Sequence, residues 1–154
     1  MDLTLPMDHA AIERILLHRY PFLLVDRVTE LEIDKRIVGI KNVSRNDHYL
    51  STEASGAAIF PPTLLTEAIA QVGAILILAK PENRQRLPLL AGIKRFRFRQ
   101  PVRAGDVVEM EAHVVRLGSR MGVLEGVARV NGKVIAGGTM TCALGPAQPQ
   151  SPSG

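Results

Sequence analysis

The chain has 154 residues, a net charge of +4 and one cysteine, Cys142, with 46% hydrophobic and 22% charged residues. That length suits one domain with its own core, and the composition excludes a disordered chain. A single cysteine excludes an internal disulfide framework and fits a reducing compartment. The N-terminus has no basic segment followed by an apolar one, so no secretory signal is expected and a cytoplasmic location is.

In chain order, the pattern predicts an amphipathic helix over residues 7–17, with Asp8 as its cap and Ile12, Ile15 and Leu16 on one face. Branched and aromatic residues predict a strand over 22–33, a turn at Asp34-Lys35 and an antiparallel partner over 36–43. An irregular loop, 46–56, leads through Phe60 and Pro61-Pro62 into a helix over 63–80 that Pro81 stops. Strands follow over 87–100, 107–117, 121–130 and 133–144; Asn131-Gly132 predicts a type I′ hairpin turn between the last two. Domain boundaries of 1–144 are expected, with 145–154 a disordered tail.

The 63–80 helix is apolar on nearly every face, as a helix buried on most sides must be. Glu67 and Gln71 interrupt it, which favours a core helix over a membrane span. The order of elements predicts an α+β domain, with one antiparallel sheet curled around one helix. A sheet covers such a helix on one side only, so the remaining apolar surface and the edge strands predict a homodimer. Alternation over 95–99 predicts Arg95, Arg97 and Arg99 on one face of a strand and Phe96 and Phe98 in the core. His113, Glu109 and Glu111 are expected at the surface, His18 at a helix–strand corner in a packing role, and Gly73, Gly126, Gly137 and Gly138 at close contacts. No two histidines stand at metal-ligand spacing, so no metal site is expected.

Several segments carry a resemblance. The run His18-Arg19-Tyr20-Pro21-Phe22-Leu23-Leu24-Val25-Asp26-Arg27-Val28, the helix motif Glu67-Ala68-Ile69-Ala70-Gln71, the strand Leu90-Ala91-Gly92-Ile93 with Phe96-Arg97-Phe98, and the hairpin Ala128-Arg129-Val130-Asn131-Gly132-Lys133-Val134 resemble the β-hydroxyacyl-acyl-carrier-protein dehydratases of FabZ type. The similarity covers roughly residues 10–144. It implies a hot dog fold, with a long helix wrapped by an antiparallel sheet, assembled as dimers and often as trimers of dimers. It also implies removal of water from 3-hydroxyacyl thioesters, without a cofactor. In the family a loop histidine takes the C2 proton, a helix glutamate of the other subunit protonates the leaving hydroxyl, and a backbone N–H at the helix start polarises the thioester carbonyl.

The chain departs from that pattern twice. The family loop reads Gly-His-Phe-Pro-Gly; here the histidine's position, fourteen residues before Glu67, holds Glu53 in Thr52-Glu53-Ala54-Ser55-Gly56. The glycine that supplies the N–H is Pro62, and proline has none. Glu67 is therefore expected as the retained acid, with Glu53 (or His48, on another loop path) as a substitute base and Thr63 or Thr66 as a substitute donor. Thr63, Gln71 and Phe60 are expected at the substrate, and Arg95, Arg97 and Arg99 at an acyl carrier protein. The ordinary activity is expected to be lost or altered. The alternatives are a subunit of a heteromer with a complete homologue, or a thioesterase using Glu67. Acyl carrier protein or acyl-CoA is the expected partner; nucleic acid and membrane are not.

Overall fold

The computed structural model describes residues 3–147. The central element is α2 (Pro62–Leu78), and thirteen of its residues, from Leu65 to Leu78, are buried. Its start has no side-chain cap: Pro61 precedes it and Pro62 occupies the first turn, where a missing N–H costs nothing within the helix. At its other end Lys80 pairs with Asp34 at 2.8 Å, and a 3₁₀ turn, Pro81–Asn83, reverses the chain.

Around α2 curls a six-stranded antiparallel sheet of β1 (Arg27–Glu32), β2 (Arg36–Asn42), β5 (Arg86–Phe98), β7 (Val107–Leu117), β8 (Met121–Val130) and β9 (Lys133–Ala147). Their spatial order is β1-β2-β7-β8-β9-β5, which leaves β1 and β5 at the edges. Three short strands, β3 (Ser51–Thr52), β4 (Ala58–Phe60) and β6 (Val102–Arg103), make a second small sheet just before the start of α2. The α+β hot dog architecture is thus present. No helix of the described residues is long and apolar enough to cross a membrane.

Helix and sheet meet where side chains are absent. A Cβ on Gly73 would lie 2.6 Å from Leu124, and one on Gly126 would lie 2.5 Å from Ile69. At Gly138 the obstacle is backbone: a Cβ would stand 2.6 Å from the Cα of Phe96. Gly138→Ala must push β5 off β9, so it is expected to destabilise by about 1–3 kcal/mol. A melting temperature lowered by several degrees in calorimetry checks this.

Four local expectations are corrected. The first helix, α1, is only His9–Glu13, although Asp8 caps it as expected, with Oδ1 accepting from the Ala11 N–H at 2.8 Å. It starts late because Met7 exchanges backbone hydrogen bonds with Val28 and so belongs to the sheet edge. The first strand begins at Arg27 and not at 22, because the backbone before it bonds elsewhere. The N–H groups of Phe22 and Leu23 donate to the Arg19 carbonyl, and that of Leu24 donates to Gln71. The last strand passes 144 and reaches Ala147. Arg86 holds it there by donating to the carbonyls of Leu144, Gly145 and, across the turn, Ser119. The rest of the expected tail, 148–154, lies outside the described residues. Finally, the Arg/Phe alternation breaks at a bulge between Lys94 and Arg97, where Arg95 has φ 53°. Phe96 and Phe98 still share a face, with ring centroids 5.4 Å apart, but that face is not core at Phe98, which is exposed.

Glu111 is also not a surface residue: only 8% of it is exposed. It accepts from Arg36 at 3.0 Å and Arg129 at 2.6 Å, both reaching across from neighbouring strands, and lies 2.7 Å from His113. Burial pushes its carboxyl pKa up, but the hydrogen bonds from Arg129 and Arg36 and the charge of His113 outweigh that, so the net direction is down. A depressed carboxyl stabilises the fold fully above its unfolded pKa and ceases to do so as pH falls through its folded one. Glu111→Gln is accordingly expected to cost roughly 1–3 kcal/mol near neutrality. The deficit should shrink as the pH drops below the ordinary carboxylate range, which urea titrations across pH would measure.

Candidate functional site

Glu67 sits in the second turn of α2, on the side that the sheet leaves uncovered. Gln71, one turn on, is 1% exposed, and its amide is fully engaged. Its Nε2 donates to Glu67 Oε1 at 3.0 Å and to the Phe22 carbonyl at 2.8 Å, while its Oε1 accepts from the Leu24 N–H at 2.8 Å. The irregular 22–24 segment thus fixes Gln71, and Gln71 fixes one oxygen of Glu67. Oε2 has no protein partner among the described residues.

Facing the same oxygen is His18, whose Nε2 lies 3.5 Å from Glu67 Oε1. The ring is flanked by Phe22, centroid to centroid 6.1 Å, and its Nδ1 is buried without a hydrogen-bond partner among the described residues. His18, Glu67, Gln71, Pro88, Leu89 and Cys142 line a cavity of about 200 Å³. Burial pushes the Cys142 thiol up to about 11, so near neutrality it is a protonated wall residue and not a nucleophile.

A second cavity, of about 280 Å³, continues along α2 towards its start. Its walls are Thr63, Thr66, Glu67, Leu90, Ile93, Phe96 and Phe98. Glu67 and Leu90 line both cavities, which thus adjoin as a groove between α2 and the edge strand β5, with the carboxylate at their junction. Leu89, Leu90, Ile93 and Phe98 are exposed along it. The Thr66 hydroxyl donates to the Pro62 carbonyl at 3.1 Å, which leaves Thr63 as the hydroxyl open to the groove.

The other expected residues fall elsewhere. Glu53 opens the small hairpin turn 53–57, in which its N–H donates to the Ala57 carbonyl and its own carbonyl accepts from Gly56, at φ +83°. Its carboxylate accepts from Arg103 and Ser55, each at 3.3 Å, and lines neither cavity that Glu67 lines. Phe60 is 2% exposed, lies under the ammonium of buried Lys41, and faces a different cavity with Asp47, His48 and Tyr49. Its position at the end of β4 turns it inward, away from the groove. His48 packs edge-on against Tyr49 and lines that same cavity. Arg95, Arg97 and Arg99 are exposed and have no acidic partner among the described residues. No group of three metal-ligating side chains occurs among the described residues. The residue that sequence reasoning undervalued is His18; its only signal was its place in the His18–Val28 run.

The FabA-like domain model matches residues 16–139. The chain belongs to the FabA-like family. Among curated members it is 47% identical over 139 residues to a 3-hydroxyacyl-[acyl-carrier-protein] dehydratase FabZ of Moorella thermoacetica, covering 90% of this chain and 97% of that one. A FabZ of Bacillus velezensis is 43% identical over 139 residues, covering 90% and 99%. Among solved structures, the dehydratase heterocomplex ApeI:P of Xenorhabdus doucetiae superposes with a TM-score of 0.74 at 21% identity, covering 96% of this chain and 93% of that one. A hypothetical thioesterase with coenzyme A from Streptococcus pneumoniae reaches 0.61 at 13% identity, covering 79% and 87%. At those identities the two structures establish the shared FabA-like fold alone.

Proposed function

We propose that this FabA-like chain binds acyl thioesters of acyl-chain synthesis in the α2–β5 groove and interconverts 3-hydroxyacyl and enoyl forms slowly, with Glu67 as the proton donor. The observation that carries the reading is Glu67 itself: one carboxylate, oriented by buried Gln71, midway along an apolar groove. An aliphatic chain fits the apolar walls, and Oε2 is free to meet a hydroxyl on it. Elimination of water needs an acid at the leaving oxygen, which this position supplies. Pro62 supports a rate below that of intact members, because loss of one carbonyl-polarising donor costs on the order of 10²–10³. Glu53, paired with Arg103, supports a changed base. The groove's open edge strand and exposed apolar side chains support its closure by a second copy of the chain.

The test is turnover of a 3-hydroxyacyl thioester, carried on acyl carrier protein and on coenzyme A, followed by the absorbance of the conjugated product beside an intact FabZ. Slow turnover with saturable binding is expected; no binding of any acyl thioester would sink the reading. A subunit role beside a complete homologue is the second reading, favoured by Pro62 and Glu53, which stand where a complete partner would supply the N–H donor and the base. Co-expression with such a homologue and measurement of mixed oligomers decides it. Release of free thiol would instead indicate a thioesterase.

Carrier-protein docking is proposed at Arg95, Arg97 and Arg99, whose charges are unpaired and near the bulge that shapes the groove. Arg97→Glu with Arg99→Glu is expected to weaken carrier-protein binding about tenfold or more at low salt, with the difference fading as salt screens it. Binding measured across ionic strength checks this, with coenzyme A thioesters as the comparison.

A further inference from the structure

We infer that His18 is the second proton-transfer group of this site, so that the acid–base pair is His18 and Glu67 of one and the same chain. The inference rests on the acyl-thioester reading above and names the base that reading lacks. Three observations meet at His18. Its Nε2 is 3.5 Å from Glu67 Oε1, it lines the same cavity, and Glu67 is the only polar partner of its ring among the described residues. Nδ1 is buried with no partner among the described residues, so the contact of Nε2 with Glu67 is the one polar interaction of the ring, and it lies at the cavity both residues line.

The spacing suits departure of a proton and a hydroxyl from adjacent carbons on one face of the acyl chain. Neutral His18 takes the C2 proton through Nε2, and the C2–H electron pair becomes the C2–C3 double bond. The C3–O bond breaks with its pair on oxygen, which takes the proton of the Glu67 carboxyl and leaves as water. The imidazolium and carboxylate so formed are opposite charges at short range, and a proton passing from His18 to Glu67 restores the starting state. Nothing beyond the substrate is consumed, and hydration is the reverse path.

The experiment incubates the full-length protein with a 3-hydroxyacyl thioester in D₂O and follows deuterium at C2 by mass spectrometry, with binding of the saturated acyl thioester measured in parallel. The wild-type protein is expected to incorporate deuterium. His18→Gln is expected to lose about 10²-fold or more of that rate, with the loss in kcat and not in affinity. His18→Ala should regain exchange when imidazole is added, which restored packing alone would not give. Wild-type exchange in His18→Gln, or a folded His18→Ala whose deficit imidazole leaves untouched, overturns the assignment. If the wild-type protein binds the saturated thioester but exchanges no C2 hydrogen, the assignment fails while the binding reading stands; absence of binding sinks both.

Discussion

Glu67→Gln is expected to lower interconversion of 3-hydroxyacyl and enoyl thioesters by a factor of about 10²–10⁴. The amide is nearly isosteric with the carboxyl, and its carbonyl still accepts from Gln71, whose bonds to Phe22 and Leu24 are untouched. The groove should therefore keep its shape, and binding of a saturated acyl thioester should change by less than about tenfold, the size of one altered hydrogen bond. What is lost is the proton at Oε2 and the carboxylate facing His18. Product absorbance gives the rate and isothermal titration gives the affinity. A variant with wild-type turnover would mean that Glu67 is structural, an anchor for Gln71 and no more. A variant that loses binding in the same proportion as rate would mean that the groove, and not the chemistry, depends on it.

The contrast between Glu67 and His18 shows which parts of such a site a sequence reveals. Glu67 was legible because it is anomalous within its own element: a lone carboxylate on a helix whose other residues are buried on most sides. That is a local signal. His18 carries none, because what makes it notable is a contact with a residue far along the chain. That contact is set by the turn at Arg19 and by the 22–24 segment bonding to Gln71 instead of extending β1. Glu111 is similar. Strand alternation assigns it an outward direction correctly, yet Arg36 and Arg129 from the two flanking strands close over it, and cross-strand register is invisible to a one-strand pattern. Phe98 differs for a third reason: alternation puts it on the face of Phe96, as observed, but does not reveal that this end of an edge strand is left uncovered. The helix, the hairpins and the curled sheet needed no such non-local information, because periodicity, the Asn131-Gly132 turn and the collinear motifs specify them within each segment.

Pro62→Gly is expected to raise the interconversion rate by on the order of 10²–10³, the usual worth of one preorganised donor at a developing oxyanion. The first N–H groups of a helix have no partner inside it and point out of its end. In α2 the first of these is deleted by Pro62, next to Thr63, which opens onto the groove that carries Glu67. Glycine returns that donor at a position where the helix places no other demand. The substitution also loosens the first turn, at a cost of about 1 kcal/mol. Part of the gain should therefore appear only well below the melting temperature. Carbonyl polarisation serves whichever group removes the C2 proton, so Pro62→Gly does not depend on the identity of the base. Glu53→His does depend on it. With His18 already beside Glu67, adding Glu53→His to Pro62→Gly is expected to change the rate by less than about tenfold, while leaving Arg103 without its partner. A large further gain from Glu53→His would instead restore the loop as the source of the base and reduce His18 to a companion of Glu67. No gain from Pro62→Gly would mean that the thioester carbonyl does not lie at the start of α2. Steady-state rates of the wild-type protein, the two single variants and the double variant, measured on one thioester, separate these outcomes.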